Sequence, residues 1–174
     1  MLRHKIIFLF VYFLMLVLQG SAQDIFDAAR KGDVNRMDAL MKINPDTLNA
    51  RNQNGFTPLI IAVYQNQQAF SEALLKHGVN VNVTSPEGPA MLGACYKGNT
   101  ELVILLLNYK ADVNLCNSNG TSGLMYAALS DNVSLAKILL ANGAKKNISE
   151  KSGKTALTYA QTLRSTEMIL LLSE

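Results

Sequence analysis

The segment GTSGLM, residues 120–125, places a serine beside two glycines, as the nucleophile of a hydrolase would be placed on a tight turn. Ser122 would need a histidine as its general base. The histidines of the chain are His4 and His77, and neither lies near this segment in the sequence. No strand pattern precedes the segment, although the nucleophile elbow of a hydrolase joins a strand to a helix. The segment is therefore interpreted as an ordinary turn, and the sequence predicts no catalytic residue.

The residue pattern does not indicate a metal or cofactor site either. The chain lacks an HExxH motif, a paired-cysteine motif and a glycine-rich phosphate loop. The sequence therefore predicts no metal site, no cofactor and no enzyme activity. Cys95 and Cys116 are the two cysteines, and an exported protein could join them in a disulfide. The alternative is two separate thiols, because the two positions do not obviously face each other.

Residues 1–22 have the composition of a secretory signal peptide. Arg3 and Lys5 precede an unbroken apolar run over residues 6–18, and the small residues Gly20, Ser21 and Ala22 follow. The run is short for a membrane-spanning helix but suits the core of a signal peptide. We expect cleavage after Ala22, which makes the protein exported; an uncleaved membrane anchor is the alternative.

Loss of this leader nearly removes the net charge. The chain has 16 Lys and Arg residues against 13 Asp and Glu residues, and the leader takes Arg3 and Lys5 with it. The remaining 14 basic residues almost balance the acidic ones, so no basic surface for nucleic acid is predicted. His77 becomes the only histidine, which argues against a metal site built on histidines.

The rest of the chain repeats with a period of 32 or 33 residues. Four residue types share this period, which chance would rarely produce. The repeated residues are Gly55, Gly88, Gly120 and Gly153; Ala62, Ala94, Ala127 and Ala160; Leu74, Leu106, Leu139 and Leu172; and Asn82, Asn114 and Asn147. An earlier unit with one extra residue precedes them. Its counterparts are Ala28, Gly32, Leu40 and Asn49.

Each unit predicts a turn, a short helix, a second helix and another turn. In the second unit Thr57 and Pro58 provide a hydroxyl cap and a proline at the first helical position. Asn66 then ends the first helix. An amphipathic second helix, with EALL on its apolar side, follows and stops at Gly78. Because neither helix is long enough to be stable alone, neighbouring units must stack to bury their leucines.

At these residues the chain resembles the ankyrin-repeat family. GFTPLIIA (55–62), HGVNVN (77–82) and NYKADVN (108–114) match the signature and the ending of that repeat. The resemblance implies an all-α solenoid with hairpin-like turns over residues 23–174. Its five repeats would cover residues 24–51, 52–84, 85–116, 117–149 and 150–174, the first and last being caps. It also implies a non-catalytic protein.

Three departures from the family pattern distinguish this chain. The histidine usual in the first helix is replaced by Ile60 and its counterparts. The third repeat is one residue short, and its Pro89 lacks the capping hydroxyl. Lys110 replaces the glycine after the second helix, where a left-handed backbone would cost about 1 kcal/mol. We therefore expect the third repeat to be the least stable part of the stack.

The resemblance also implies that partners bind the concave side, formed by the hairpin tips and the first helices. Carried over by position, an aromatic strip of Phe56, Tyr64 and Tyr96 would lie there with basic residues at its border, a composition typical of binding hot spots. The full set of candidate partner-binding residues is Phe56, Tyr64, Gln65, His77, Glu87, Tyr96, Lys97, Tyr109, Asn119, Thr121, Arg30 and Lys31.

The sequence therefore predicts an exported, monomeric protein that binds another protein and neither nucleic acid nor, after cleavage, a membrane. A bacterial periplasm is the expected location, and secretion from another type of cell is the alternative. The alternative function is inhibition or support of a periplasmic or secreted enzyme.

Overall fold

The computed structural model describes residues 24–173. The predicted signal peptide lies outside these residues. Within them the chain forms ten α-helices in five consecutive pairs and no strand, which confirms the predicted all-α repeat fold. The helices are α1 (24–31), α2 (Val34–Ile43), α3 (Pro58–Tyr64), α4 (Gln68–Lys76), α5 (Ala90–Tyr96), α6 (Thr100–Asn108), α7 (Gly123–Leu129), α8 (Val133–Ala141), α9 (Ala156–Leu163) and α10 (Thr166–Ser173).

Side-chain caps start most of the first helices. The hydroxyl groups of Thr57, Ser122 and Thr155 accept hydrogen bonds from the backbone N–H three residues further on, at the starts of α3, α7 and α9. Pro89 precedes α5 and supplies no side-chain cap, as the sequence predicts. The first turn of α5 therefore lacks one of the hydrogen bonds that stabilises its counterparts.

Small residues let the first helices pack closely in series. Helix α3 packs against α5, α5 against α7, and α7 against α9. The recurring alanines at these contacts, Ala62, Ala94, Ala127 and Ala160, are fully buried. The leucines of the second helices fill the other half of the core, since Leu74, Leu106 and Leu139 are also fully buried. The core is thus continuous from pair to pair.

The recurring asparagines tie neighbouring repeats together by backbone hydrogen bonds. Asn82 Oδ1 accepts from the N–H of Asp112 at 2.8 Å, and its amide donates to the carbonyl of Lys110 at 3.3 Å. Asn114 repeats the arrangement one unit later, with Lys145 N–H at 2.8 Å and Gly143 O at 3.0 Å. These side chains therefore hold the loops after the second helices in register.

The second residue after the second helix adopts a left-handed backbone in three successive repeats. Gly78 has φ +77°, Lys110 has φ +63° and Gly143 has φ +86°. Only glycine enters this region without steric cost, because a Cβ atom approaches the carbonyl oxygen there. The backbone strain predicted at Lys110 is therefore present.

We expect Lys110→Gly to raise the free energy of unfolding by about 1 kcal/mol, because it removes that strain without altering the backbone hydrogen bonds. The reciprocal change Gly143→Lys should lower it by a similar amount, since nothing lies within 4 Å of an added Cβ there and strain is the main effect. Urea denaturation measures both variants. Equal stability of Lys110→Gly and the unmodified protein would show that residue 110 carries no net strain.

Candidate functional site

The inner face, as we call it, is formed by the hairpin tips and the first helices. In the second and fourth repeats an asparagine builds the tip, since Asn52 Oδ1 accepts from the N–H of Asn54 and Phe56, and Asn117 Oδ1 accepts likewise from Asn119 and Thr121. Such bonds from an asparagine to its own turn hold the loop rigidly. The tips are therefore fixed platforms beside the first helices.

The third tip is shorter than the others. In the second tip the N–H of Asn52 donates to the carbonyl of Phe56, four residues on. Asn117 and Glu150 make the same bond in the fourth and fifth tips. In the third tip Ser85 N–H instead donates to Gly88 O, three residues on. The position of Phe56 thus has no counterpart in the third repeat, which leaves a gap in the row of tips.

Three tyrosines form a continuous aromatic row along the first helices. Tyr64 and Tyr96 are stacked with their ring centroids 6.1 Å apart and their planes 9° from parallel. Tyr96 meets the edge of Tyr126 at 5.5 Å and 77°. Tyr64 is 45% exposed and Tyr96 is 57% exposed. Because the rings hold one another in place, their exposed faces are arranged before any partner arrives.

Lys97 borders this aromatic row. Its Nζ lies 4.3 Å from the centroid of the Tyr64 ring and 5.8 Å from that of Tyr96. A cation over an aromatic face is attracted by the negative charge of the π cloud. The lysine therefore stabilises the orientation of the two rings.

A groove of about 600 Å³ opens beside the row at the third repeat. Its lining includes Gly88, Pro89 and Gly93 of the third repeat, together with Phe56 and Tyr126. The counterparts of Gly93 in the second, fourth and fifth repeats are Ile61, Tyr126 and Tyr159. The groove therefore exists where the third repeat lacks both a tip residue and a large side chain on its first helix.

The groove brings together six of the twelve candidate residues from the sequence. These are Arg30, Phe56, Tyr64, Gln65, Glu87 and Tyr96. Lys97 lies beside it, over the rings of Tyr64 and Tyr96. Asn119 and Thr121 belong to the fourth tip, and Lys31 is an exposed residue at the end of α1.

His77 and Tyr109 lie elsewhere. They directly follow α4 and α6, and neither lines the groove. The imidazole of His77 faces Asp38 of α2 at 3.9 Å, so it contacts the second helix of the first repeat. The structure therefore does not group these two residues with the aromatic row.

Tyr126 is a groove residue that the sequence interpretation did not include. Burial raises its pKa, and the nearby carboxylate of Glu87 raises it further. The phenol thus stays protonated and can donate a hydrogen bond. The repeat alignment offered one signal, since Tyr126 and Tyr159 occupy the position at which the third repeat has Gly93.

A polar network joins the tip of the fifth repeat to α9. Glu150 Oε1 accepts hydrogen bonds from Ser152 Oγ at 2.6 Å and Tyr159 Oη at 2.8 Å. These bonds lower the pKa of Glu150, and the bond to the carboxylate raises the pKa of Tyr159. Glu150 therefore remains ionised at neutral pH and is already engaged within the protein.

Both cysteines are free thiols in the structure. Cys95 is fully buried in α5, and burial raises its pKa to about 12. Cys116 is partly exposed, and burial together with Asp112 raises its pKa. Neither thiol has the lowered pKa that nucleophilic cysteines require.

Ser122 has a structural role in this arrangement. Its side chain is buried, and its hydroxyl accepts a hydrogen bond from Met125 N at 3.4 Å at the start of α7. Among residues 24–173, no group of histidine, cysteine and acidic side chains is placed to hold a metal ion. In the same part of the chain, every helix is too short or too polar to cross a bilayer.

Comparison with known proteins identifies a single family. The model of ankyrin repeats in three copies matches residues 23–89 and again residues 90–174. The chicken nuclear factor NF-kappa-B p105 subunit is 34% identical over 131 residues, which is 70% of this chain and 13% of that protein. The human transient receptor potential cation channel subfamily A member 1 is 33% identical over 129 residues, which is 72% of this chain and 12% of the channel.

A third relative comes from rice. The probable E3 ubiquitin-protein ligase XBOS32 is 32% identical over 130 residues, which is 71% of this chain and 25% of the ligase. The chain thus spans a quarter or less of each of these three relatives. Their names describe different activities, so the similarity identifies the repeat and not a shared activity.

Proposed function

We propose, because this chain belongs to the ankyrin-repeat family, that it is an exported protein whose inner face binds another protein. Ankyrin repeats mediate binding to other proteins and are generally non-catalytic interaction modules. Beyond this general role of the family, we propose the binding surface, which is the aromatic row with its groove, and the cellular location.

The aromatic row is the observation that carries this proposal. Tyrosine is enriched in binding hot spots because its ring offers a large contact area and its hydroxyl a hydrogen bond. Tyr64 and Tyr96 are exposed although each is large and partly apolar. Since contacts with each other and with Lys97 already orient these rings, binding would immobilise few side chains, and little entropy would be lost.

Export rests on the composition of residues 1–22 alone. A basic start, an apolar run and small residues before the expected cleavage site are the features of a cleaved signal. We propose the bacterial periplasm as the location, or secretion in another type of cell. The mass of the protein after cell fractionation tests this, and the full precursor mass in a membrane fraction would contradict cleavage.

Affinity capture tests the proposed binding face. We expect Phe56→Ala/Tyr64→Ala/Tyr96→Ala to retain less than about a tenth of the partner that the unmodified protein retains, because several hot-spot side chains are lost at once. The matched control is Ile104→Ala/Leu170→Ala, which removes two exposed apolar side chains from the second helices. Circular dichroism would verify that each variant is folded.

The outcome distinguishes the inner face from other surfaces. Equal retention of the partner by the triple variant and by the unmodified protein would exclude the aromatic row as the binding surface. If the captured partner is an enzyme, its activity should be measured during titration with this protein. A decrease in the activity of the enzyme would identify the ankyrin-repeat protein as its inhibitor. Unchanged activity would exclude inhibition.

A further inference from the structure

One acidic side chain in the lining of the groove at the third repeat makes no ion pair with the described residues. Arg30 and Glu87 are the charged residues that line it. The guanidinium of Arg30 pairs with Asp27 of the same helix. Glu87 is exposed at the third tip, and in the described part of the chain no ion pair involves it. Lys97 lies outside this lining, with its ammonium group over the Tyr64 ring. Among the side chains that line the groove, the carboxylate of Glu87 is therefore the charged group that a partner could pair.

The third tip lacks a backbone hydrogen bond by which each later tip is joined to the one before it. Ser118 N–H donates to Pro86 O at 2.8 Å, and Lys151 N–H donates to Asn119 O at 2.9 Å, so each of these tips is bonded to the one before it. Pro86 occupies the corresponding donor position in the third tip and has no N–H. A second opening lies at this junction, and Glu87 lines it as well.

Aromatic ring faces next to a carboxylate suit a planar cation. The Tyr64 ring already attracts the ammonium group of Lys97 at 4.3 Å, so a ring of this row accepts a cation in this structure. A guanidinium can stack on such rings and can also make two parallel hydrogen bonds to a carboxylate. An apolar side chain in the same place would cover the Glu87 carboxylate without pairing it, which is unfavourable.

We infer that the groove receives an arginine side chain of the partner protein, whose guanidinium pairs with Glu87 and stacks on the tyrosines. This inference rests on the proposed function, since it names the chemistry by which the inner face recognises its partner. The arginine would enter over Gly93, where the missing side chain leaves room, and Tyr96 and Tyr126 would flank it.

An NMR titration with defined peptides tests the inference directly. The probe is the capped tripeptide acetyl-Gly-Arg-Gly-amide, and its neutral isostere with citrulline in place of arginine is the matched control. We expect saturable shifts at the amides of Gly88 and Gly93 with the arginine peptide, and binding about tenfold weaker with the citrulline peptide. Absence of shifts at peptide concentrations on the order of 10 mM, where even weak contacts are populated, would overturn the inference.

Glu87→Gln should weaken binding of the arginine peptide by about tenfold, because the amide keeps the shape but loses the charge. Glu101→Gln is the matched control, since Glu101 is an exposed acid at the start of α6, away from the groove. Equal affinities for Glu87→Gln and the unmodified protein would overturn the inference. The same would follow if an acetyl-Pro-Pro-Pro-amide peptide bound the groove and the arginine peptide did not.

The two proposals fail in different ways. If the captured partner depends on Tyr64 and Tyr96 but is retained fully by Glu87→Gln, the arginine inference is wrong and the proposed function stands. If the triple alanine variant of Phe56, Tyr64 and Tyr96 and the Glu87→Gln variant both retain the partner fully, the inner face is not the binding surface. Both proposals are then wrong.

Discussion

Replacing Leu106 with alanine is expected to lower the free energy of unfolding by about 3 kcal/mol. Leu106 is fully buried in α6, at the middle of the five helix pairs. Removal of its side chain would leave a cavity that rigid neighbours fill only in part. Urea denaturation followed by circular dichroism measures the change.

Ile104→Ala in the same helix is the control. Ile104 is 44% exposed, so the same kind of truncation leaves no closed cavity, and we expect a loss below about 1 kcal/mol. If both variants lost the same stability, burial of the side chain would not determine the effect, since alanine favours a helix more than leucine or isoleucine does. The assignment of Leu106 to the core that stabilises the stack would then be wrong.

Filling the groove should weaken binding of the partner without loss of stability. We expect Gly93→Tyr to reduce partner affinity by at least about tenfold, because Gly93 lines the groove and the new ring would occupy part of its volume. An added Cβ there would lie 3.7 Å from Val63 Cγ1 and 3.9 Å from the Cα of Tyr64, which are ordinary contacts. Tyrosine also favours a helix more than glycine does, so the unfolding temperature should stay equal or rise.

Gly93→Ala is the matched control for this variant. It should raise the free energy of unfolding by about 0.5–1 kcal/mol through helix propensity, and it adds too little volume to close the groove. Its partner affinity should therefore change by less than about threefold. Isothermal titration calorimetry with the captured partner measures both affinities. Full affinity of Gly93→Tyr would show that the partner does not enter the groove.

Local signals account for the parts of the fold that could be predicted from the sequence. Thr57-Pro58 marks a helix start because its cap and its fixed backbone angle act within one turn of the chain. The left-handed backbone at Lys110 could be predicted for a similar reason, since its counterparts Gly78 and Gly143 sit at the same place in the period. Periodic leucines likewise indicate which helix side is buried.

The candidate site could be predicted only in part. Tyr64 and Tyr96 follow from position, because the first helix of each repeat presents the same side to solvent. His77 and Tyr109 were grouped with them from the family pattern, but the structure places them at the ends of the second helices. The sequence does not reveal Tyr126 as a site residue, because one repeat alone does not show that its ring contacts Tyr96 of the previous repeat.

By itself, the sequence determined the family, the helix pairs and the buried residues, since each depends on a pattern that repeats every 32 or 33 residues. Tertiary structure alone decided that the short third tip and Gly93 line one groove together with Glu87, and that Pro86 lines a second opening next to it. The physical reason is that the groove is space between side chains of different repeats. Its shape depends on how closely the stacked helices approach, which no single repeat encodes.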